Sequence, residues 1–175
     1  NKLRENLAIV EQENNHLVKA PTRNITAYTY YLKGLHYWNK LTPADSRRAI
    51  EAFEQAIAIE PNYAQAYSMA AAAYSQLGSS GQMLPHSAFG IVHRYADKAI
   101  ELDNSVAEGF VAKASAYLLY DWNWQAAYDA LQKALELNPG SIDAHELLSF
   151  YYVLMGRKDE ALELVEKAAM LDPLS

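Results

Sequence analysis

Two histidines have the types and spacing to suggest chemistry. His86 and His93 lie seven positions apart, so they share one face if the segment is helical. A protein metal site needs at least a third ligand, and the sequence places none beside them. Cysteine is absent, which excludes thiolate metal sites, disulfides and thiol nucleophiles. We therefore expect neither a metal site nor a cofactor.

The motifs of nucleotide chemistry and of nucleophilic catalysis are also missing. The chain has no glycine-rich phosphate loop, no kinase catalytic-loop sequence and no paired-aspartate cyclase motif. Spacing alone suggests no Ser-His-Asp set. Acidic pairs such as Asp159 and Glu160 have the pattern of a solvated helix face. The sequence thus predicts that this segment has no catalytic residues and is not an enzyme.

Trp122 and Trp124 allow two interpretations. The first is an aromatic box that binds a ligand. The second is structural, because large aromatic side chains close turns by burying their rings. We favour the structural interpretation.

Composition excludes other classes of protein. The 175 residues carry 15 Lys and Arg against 21 Asp and Glu, and the net charge of −6 argues against a nucleic-acid partner. No run approaches the ~18 apolar residues of a membrane span, so no membrane contact is expected. The chain starts without Met, and we interpret it as part of a longer protein. We expect a cytoplasmic location, with the periplasm as the alternative.

An internal repeat sets the predicted fold. Four similar phrases occupy residues 58–61, 101–104, 136–139 and 170–173, and their last residues are 43, 35 and 34 positions apart. Each phrase follows a triplet at i, i+4, i+7, a spacing that gives one helix face. An earlier pair of residues, spaced by seven, marks a second helix. The triplets are Ala49/Phe53/Ala56, Val92/Ala96/Ala99, Ala127/Leu131/Ala134 and Ala161/Val165/Ala168, and the pairs are Tyr30/Tyr37, Tyr67/Tyr74, Phe110/Tyr117 and His145/Tyr152.

Each repeat is therefore predicted as two helices joined by a turn. Extra residues lie in the turns of the first three repeats, near 41–43, 78–85 and 121–124. Thr42 is suited to cap the second helix, with Pro43 at its first position and Asp45 three residues after the cap. The glycine and serine residues at 78–81 predict a flexible surface loop. Gly156 is predicted to lie at the fourth turn.

This pattern resembles the tetratricopeptide repeat family, whose period is 34 residues. The resemblance implies an all-α fold, a right-handed superhelix of antiparallel helix pairs. The repeats would span 27–63, 64–106, 107–141 and 142–175. The amino-acid sequences at 31–34, 37–43 and 120–124 are similar to those of repeats that follow nucleotide cyclase, Ser/Thr kinase or winged-helix regulator domains in bacterial signalling proteins.

The resemblance also implies a concave groove, lined by the first helix of each repeat, that binds a peptide or protein segment. The equally weighted alternative for each groove position is burial between helices. Chaperone tails are not expected as partners, because Tyr31 and Leu35 occupy positions where a two-carboxylate clamp needs Lys and Asn. The implied groove residues are Tyr28, Tyr31, Leu35, Trp38, Asn39, Gln65, Ser68, Met69, Ala72, Ser75, Glu108, Val111, Ser115, Leu118, Asp143, Glu146, Phe150 and Val153.

Residues 1–26 form a separate N-terminal helix and linker in this interpretation. Leu3, Leu7, Val10, Asn14 and Leu17 step by four and three, which is an a/d heptad stripe. The helix either covers the first repeat or forms a homodimer as the end of an upstream signalling helix. Three functions stay open: a protein-binding scaffold or sensory module, which we favour, a dimerising spacer, and a regulatory segment of a cyclase or kinase.

Overall fold

A computed structural model describes residues 22–40 and 42–171, and these residues form eight α-helices. No residue in the two ranges lies in a β-strand, so the predicted all-α class is confirmed. A π-helical turn (Tyr117–Asp121) continues the fifth helix. The helices are α1 (Ile25–Trp38), α2 (Pro43–Ile59), α3 (Ala64–Ser79), α4 (Pro85–Leu102), α5 (Ala107–Ala116), α6 (Trp124–Leu137), α7 (Ile142–Leu154) and α8 (Lys158–Leu171).

The helices pack in sequence order as four hairpins. Helices α1 and α2, α3 and α4, α5 and α6, and α7 and α8 pair with each other, and each hairpin contacts the next one. Helix α5 also packs against both α3 and α7, so the odd-numbered helices form one layer of the stack. This arrangement confirms the predicted stack of helix pairs.

Local capping explains where several helices begin. The Thr42 side-chain oxygen accepts a hydrogen bond from the backbone N–H of Asp45 at 3.1 Å, as predicted for the start of α2. The Thr42 hydroxyl in turn donates to the Asp45 carboxylate at 2.6 Å. This bond, helped by Arg48, lowers the pKa of Asp45. Asn24, Asn123 and Ser141 cap α1, α6 and α7 in the same way.

The predicted triplets form the contact surface between hairpins. All three residues of each of the first three triplets are completely buried. In the fourth, Ala161 and Ala168 are buried, but Val165 is 52% exposed, so among the described residues this triplet is only partly covered. The central residues Phe53 and Leu131 are covered by helices of the following hairpin. No described helix follows α8 and covers Val165.

The third turn absorbs its extra residue in the π-helical turn, which ends at Trp122 with a left-handed φ of 58°. Asp121 Oδ2 lies 2.7 Å from His93 Nε2, which ties this turn to α4. Trp122 is 69% exposed, whereas Trp124 is half-buried. The prediction that Trp122 anchors the turn by burying its ring is therefore wrong. With its left-handed backbone conformation, Trp122 has an exposed ring that lies beside that of Trp124.

The other turns differ less from their predictions. Helix α3 continues to Ser79, so the loop is shorter than the predicted 78–85. Gly78 is therefore a helical residue, and it packs closely against Ala88 of α4. Gly156 occupies the fourth turn as predicted, with a φ of 75°. The heptad stripe at residues 3–17 lies outside the described residues.

Candidate binding groove

An open cavity of about 430 Å³ crosses the layer of odd-numbered helices. It begins at the last residue of α1, passes the C-terminal half of α3 and the middle of α5, and reaches the N-terminal half of α7. All four repeats therefore contribute to one surface. Its lining residues are Trp38, Ala72, Ser75, Gln76, Ser79, Val111, Ala112, Ser115, Leu119, Asp143, Glu146 and Leu147.

Helical spacing explains why these residues line one wall. On α3, Ala72, Ser75 and Ser79 lie at i, i+3 and i+7, which is a single helix face. On α5 and its π-helical continuation, Ser115 and Leu119 lie one turn apart. Because α3 presents mainly small side chains, the cavity has room between the larger Trp38 and Leu119.

Much of the polar floor is already hydrogen-bonded within the protein. The Ser115 hydroxyl donates to the carbonyl oxygen of Ala112 at 2.7 Å. The Gln76 side-chain oxygen accepts a hydrogen bond from the Ser46 hydroxyl at 3.2 Å. The groups that remain for a ligand include apolar side chains, the Gln76 amide NH2, the Ser75 hydroxyl and the carboxylates of Asp143 and Glu146.

Asp143 and Glu146 are exposed residues at the α7 end of the cavity, and each carboxyl group lies near another acidic group. Burial of the carboxyl group, with the nearby charge of Glu108, raises the pKa of Asp143. Burial, followed by the charge of Asp143, raises the pKa of Glu146. Glu108 lies in the first turn of α5 and is half-buried. None of these three residues forms an ion pair with any cation that the structure describes.

Seven residues of the predicted groove lie on the cavity wall, and five wall residues were not predicted. Each unpredicted residue lies close in sequence to a predicted one. Gln76 and Leu119, for example, follow predicted positions by four residues, so extending the helix face by one turn would have found them. The seven are Trp38, Ala72, Ser75, Val111, Ser115, Asp143 and Glu146, and the five are Gln76, Ser79, Ala112, Leu119 and Leu147.

Two predicted groove residues are buried between helices, and their assignment to the groove is wrong. Ser68 is completely buried and its hydroxyl donates to the carbonyl of Gln65 at 2.9 Å. Leu118 is only 2% exposed, because the π-helical turn points it inward. Neither side chain can reach a ligand in the cavity.

Tyr31 belongs mainly to the core. Its ring centroid lies 5.7 Å from that of Phe53 and 5.1 Å from that of Tyr63. Burial, with a smaller contribution from Glu108, raises the pKa of Tyr31 to about 12. The remaining predicted residues lie beyond the cavity wall, where they pack near Phe53, are half-buried or are exposed. These are Tyr28, Leu35, Asn39, Gln65, Met69, Glu108, Phe150 and Val153.

The other chemical candidates do not form a site. His93 pairs with Asp121, and His86 Nδ1 lies 3.1 Å from the Tyr120 hydroxyl. The described residues contain no group of three metal-ligating side chains and no helix that could span a membrane. A second cavity of about 440 Å³ lies between α1 and α2, where Lys33, Arg48 and Glu51 present charges of both signs.

Comparison with known proteins agrees with this architecture. A family model described as "Tetratricopeptide repeat" matches residues 118–175. The chain is 23% identical over 150 residues to the transcriptional regulator HilA of Salmonella typhimurium. That match covers 86% of this chain but only 27% of the regulator, so the chain spans about a quarter of its curated relative.

Solved structures give the same result. The protein in the crystal structure of MamA protein shares 30% sequence identity with this chain, and the two structures superpose with a TM-score of 0.52. The match covers 85% of this chain and 74% of that one. The TPR2B domain of yeast Sti1, solved as a complex with pHsp70, is 26% identical with a TM-score of 0.57, covering 80% and 98%. With its four stacked helix hairpins and recurring small-residue triplets, the chain belongs to the tetratricopeptide repeat family of protein-interaction modules.

Proposed function

We propose that this chain binds a segment of a partner protein in the cavity formed by α1, α3, α5 and α7. The observation that carries the proposal is the continuity of that cavity across all four hairpins. Its volume of about 430 Å³ lies within the range of small-ligand sites, ~300–1,000 Å³. The cavity is an open trough, which suits an extended or helical segment that contributes a few side chains.

The wall of the cavity favours a segment with at least one large apolar side chain. Trp38, Val111 and Leu119 supply apolar surface, while α3 supplies small residues that leave space. Burial of an apolar anchor in such a site contributes about 25 cal/mol per Å² removed from water. Trp38 is also part of a small core cluster with Ile50 and Leu77, so its position is held by the fold.

We also propose that this module is a non-enzymatic part of a larger bacterial signalling protein. The likeness to HilA, a transcriptional regulator, supports a winged-helix regulator as the whole protein. Such a regulator works where the DNA is, which supports a cytoplasmic location. The alternative is the regulatory segment of a nucleotide cyclase or kinase whose catalytic domain lies elsewhere in the protein. Sequencing the gene upstream of this segment distinguishes the two.

Selection from a display library of random short peptides tests groove binding. We expect peptides selected on the chain to lose binding to a Ser79→Trp variant, because the indole would occupy the cavity from its α3 wall. Ser87→Trp is the matched control, since Ser87 is an exposed helical serine on α4 that does not line the cavity. Fluorescence of Trp38, isolated by Trp122→Phe and Trp124→Phe, should change when a selected peptide binds.

Equal binding to the Ser79→Trp and Ser87→Trp variants, without a change in Trp38 fluorescence, would place the peptide site elsewhere and refute the proposal. The competing role is that of a dimerising spacer, favoured by the heptad stripe at residues 3–17. Sedimentation of the whole chain as a stable dimer, with no peptide recovered by selection, would favour that role.

A further inference from the structure

We infer that the segment bound in this cavity carries lysine or arginine next to its apolar anchor. The inference rests on the proposed function and specifies the chemistry of its partner. It is carried by the geometry of the cavity together with the distribution of charge over the helices that form it.

The layer of odd-numbered helices has an uneven distribution of charge. Asp143 and Glu146 line the cavity, and Glu108 lies close enough for its charge to act on Asp143. Helix α3 has no charged residue. The lysines on the other odd-numbered helices face elsewhere, because Lys113 pairs with Asp97 on α4 and Lys33 lines the second cavity.

These three acidic residues differ from the five described carboxylates that pair with a lysine or arginine. Other acidic residues without such an ion pair, such as Asp159 and Glu163, lie on exposed faces of α8 and not at the cavity. The acidic groups at the cavity remain available to a cation from another molecule. The paired carboxylates include Asp45, Asp97, Glu101, Glu136 and Glu160.

Helix stabilisation accounts for only part of this pattern. Glu108 and Asp143 lie in the first turns of α5 and α7, where a negative charge interacts favourably with the helix dipole. Glu146 lies one turn further along α7, where that effect has decayed. Its position on the cavity wall therefore needs another explanation, and a cationic ligand supplies one.

The environment of the carboxylates points in the same direction. Partial burial, followed by the charge of a neighbouring carboxylate, raises the pKa values of Asp143 and Glu146, so their charged forms are disfavoured relative to a carboxylate in water. A lysine or arginine side chain would reverse this effect by supplying opposite charge and hydrogen-bond donors.

The arrangement also gives the ligand a direction. Trp38 lies on α1, the first helix of the layer, and the acidic residues lie at the α7 end. The apolar anchor should therefore contact the region of Trp38 and Leu119, with the basic residues towards α7.

The test compares peptide selection on three forms of the chain. A groove variant, Glu108→Gln/Asp143→Asn/Glu146→Gln, removes the two negative charges of the cavity wall and the neighbouring charge of Glu108. A control variant, Asp159→Asn/Glu163→Gln/Glu166→Gln, removes three negative charges from the outside of α8 and thus has the same net charge. We expect lysine and arginine to be enriched in peptides selected on the native chain and on the control, and not on the groove variant. Helical circular dichroism verifies that each variant is folded.

Affinity provides the quantitative measurement. Replacing the basic residues of a selected peptide with Gln should raise its Kd for the native chain about tenfold, as expected for a few partly exposed ion pairs. The difference should shrink at high salt and vanish on the groove variant.

Two kinds of failure are distinguishable. If selected peptides lose binding to the Ser79→Trp variant but are not enriched in lysine or arginine, the inference is wrong and the proposed groove function stands. An equal loss of preference in both charge variants would also refute it, because the effect would then reflect net charge alone. If every selected peptide still binds the Ser79→Trp variant, both proposals fail.

Discussion

At the scale of single residues, the contact between Gly34 and Phe53 shows how closely the first hairpin is packed. A Cβ atom at Gly34 would lie 2.4 Å from Cε1 of Phe53, whose ring is completely buried. The absence of a side chain on α1 thus allows the ring on α2 to fit beneath it. Gly90 on α4 offers a contrast, since its added Cβ would meet no atom within 4 Å.

We predict that Gly34→Ala destabilises the chain by about 1–3 kcal/mol, the usual cost of overpacking a core. Gly90→Ala should be neutral or stabilising by up to about 1 kcal/mol, because alanine has the higher helix propensity. Urea unfolding measures both. Combining Gly34→Ala with Phe53→Leu should recover part of the loss, and a strictly additive double mutant would contradict the proposed clash.

At the scale of helices, the central residue of the triplet contributes differently to the free energy of unfolding in different repeats. Phe53 is covered by the next hairpin, whereas Val165 is half-exposed on α8. Both are the central residues of their triplets, and among the described residues a following helix covers Phe53 but not Val165.

We predict that Phe53→Ala costs about 3–5 kcal/mol, as for other buried phenylalanines. Val165→Ala should cost less than about 0.5 kcal/mol, as for surface positions. Thermal melting of the two variants checks the difference. Similar losses at both positions would mean that Val165 is covered by another part of the protein or by a second copy.

At the scale of the whole molecule, tyrosines link the first two repeats and make stability depend on pH. Tyr74 and Tyr95 both donate hydrogen bonds to Oε1 of Glu54, at 2.8 and 3.1 Å. Burial, followed by the charge of Glu54, raises the pKa of Tyr95 to about 12, and burial raises that of Tyr31 equally far. The folded chain therefore retains protons that the unfolded chain releases above pH ~10.

We predict that these phenols do not change the free energy of unfolding between neutral pH and pH ~10, and that they lower it as the pH rises towards 12, because the unfolded state then binds fewer protons than the folded state. Urea midpoints measured across this range test the sign. Tyr31→Phe should make the decline shallower. A midpoint that rises with pH would contradict the burial of these phenols.

The sequence was informative about the site only as far as helix periodicity reaches. It placed Ala72, Ser75 and Ser115 on the helix faces that line the cavity, because residues at helical spacing share a side. It failed for Ser68 and Leu118, since the depth of a residue depends on how neighbouring helices rotate against each other. The π-helical turn changed that rotation for Leu118, and no local signal marked it.

The repeating order of small and large side chains was enough to predict four helix hairpins and their stacking order, and the Thr-Pro-Ala-Asp sequence at residues 42–45 was enough to predict the cap of α2. These features depend on contacts close in sequence and on a pattern that recurs with each unit. Tertiary structure alone decided which residues of the implied groove meet at the cavity wall, and that no described helix covers Val165. Such contacts depend on the summed rotation and separation of several hairpins, which periodicity within one helix does not encode.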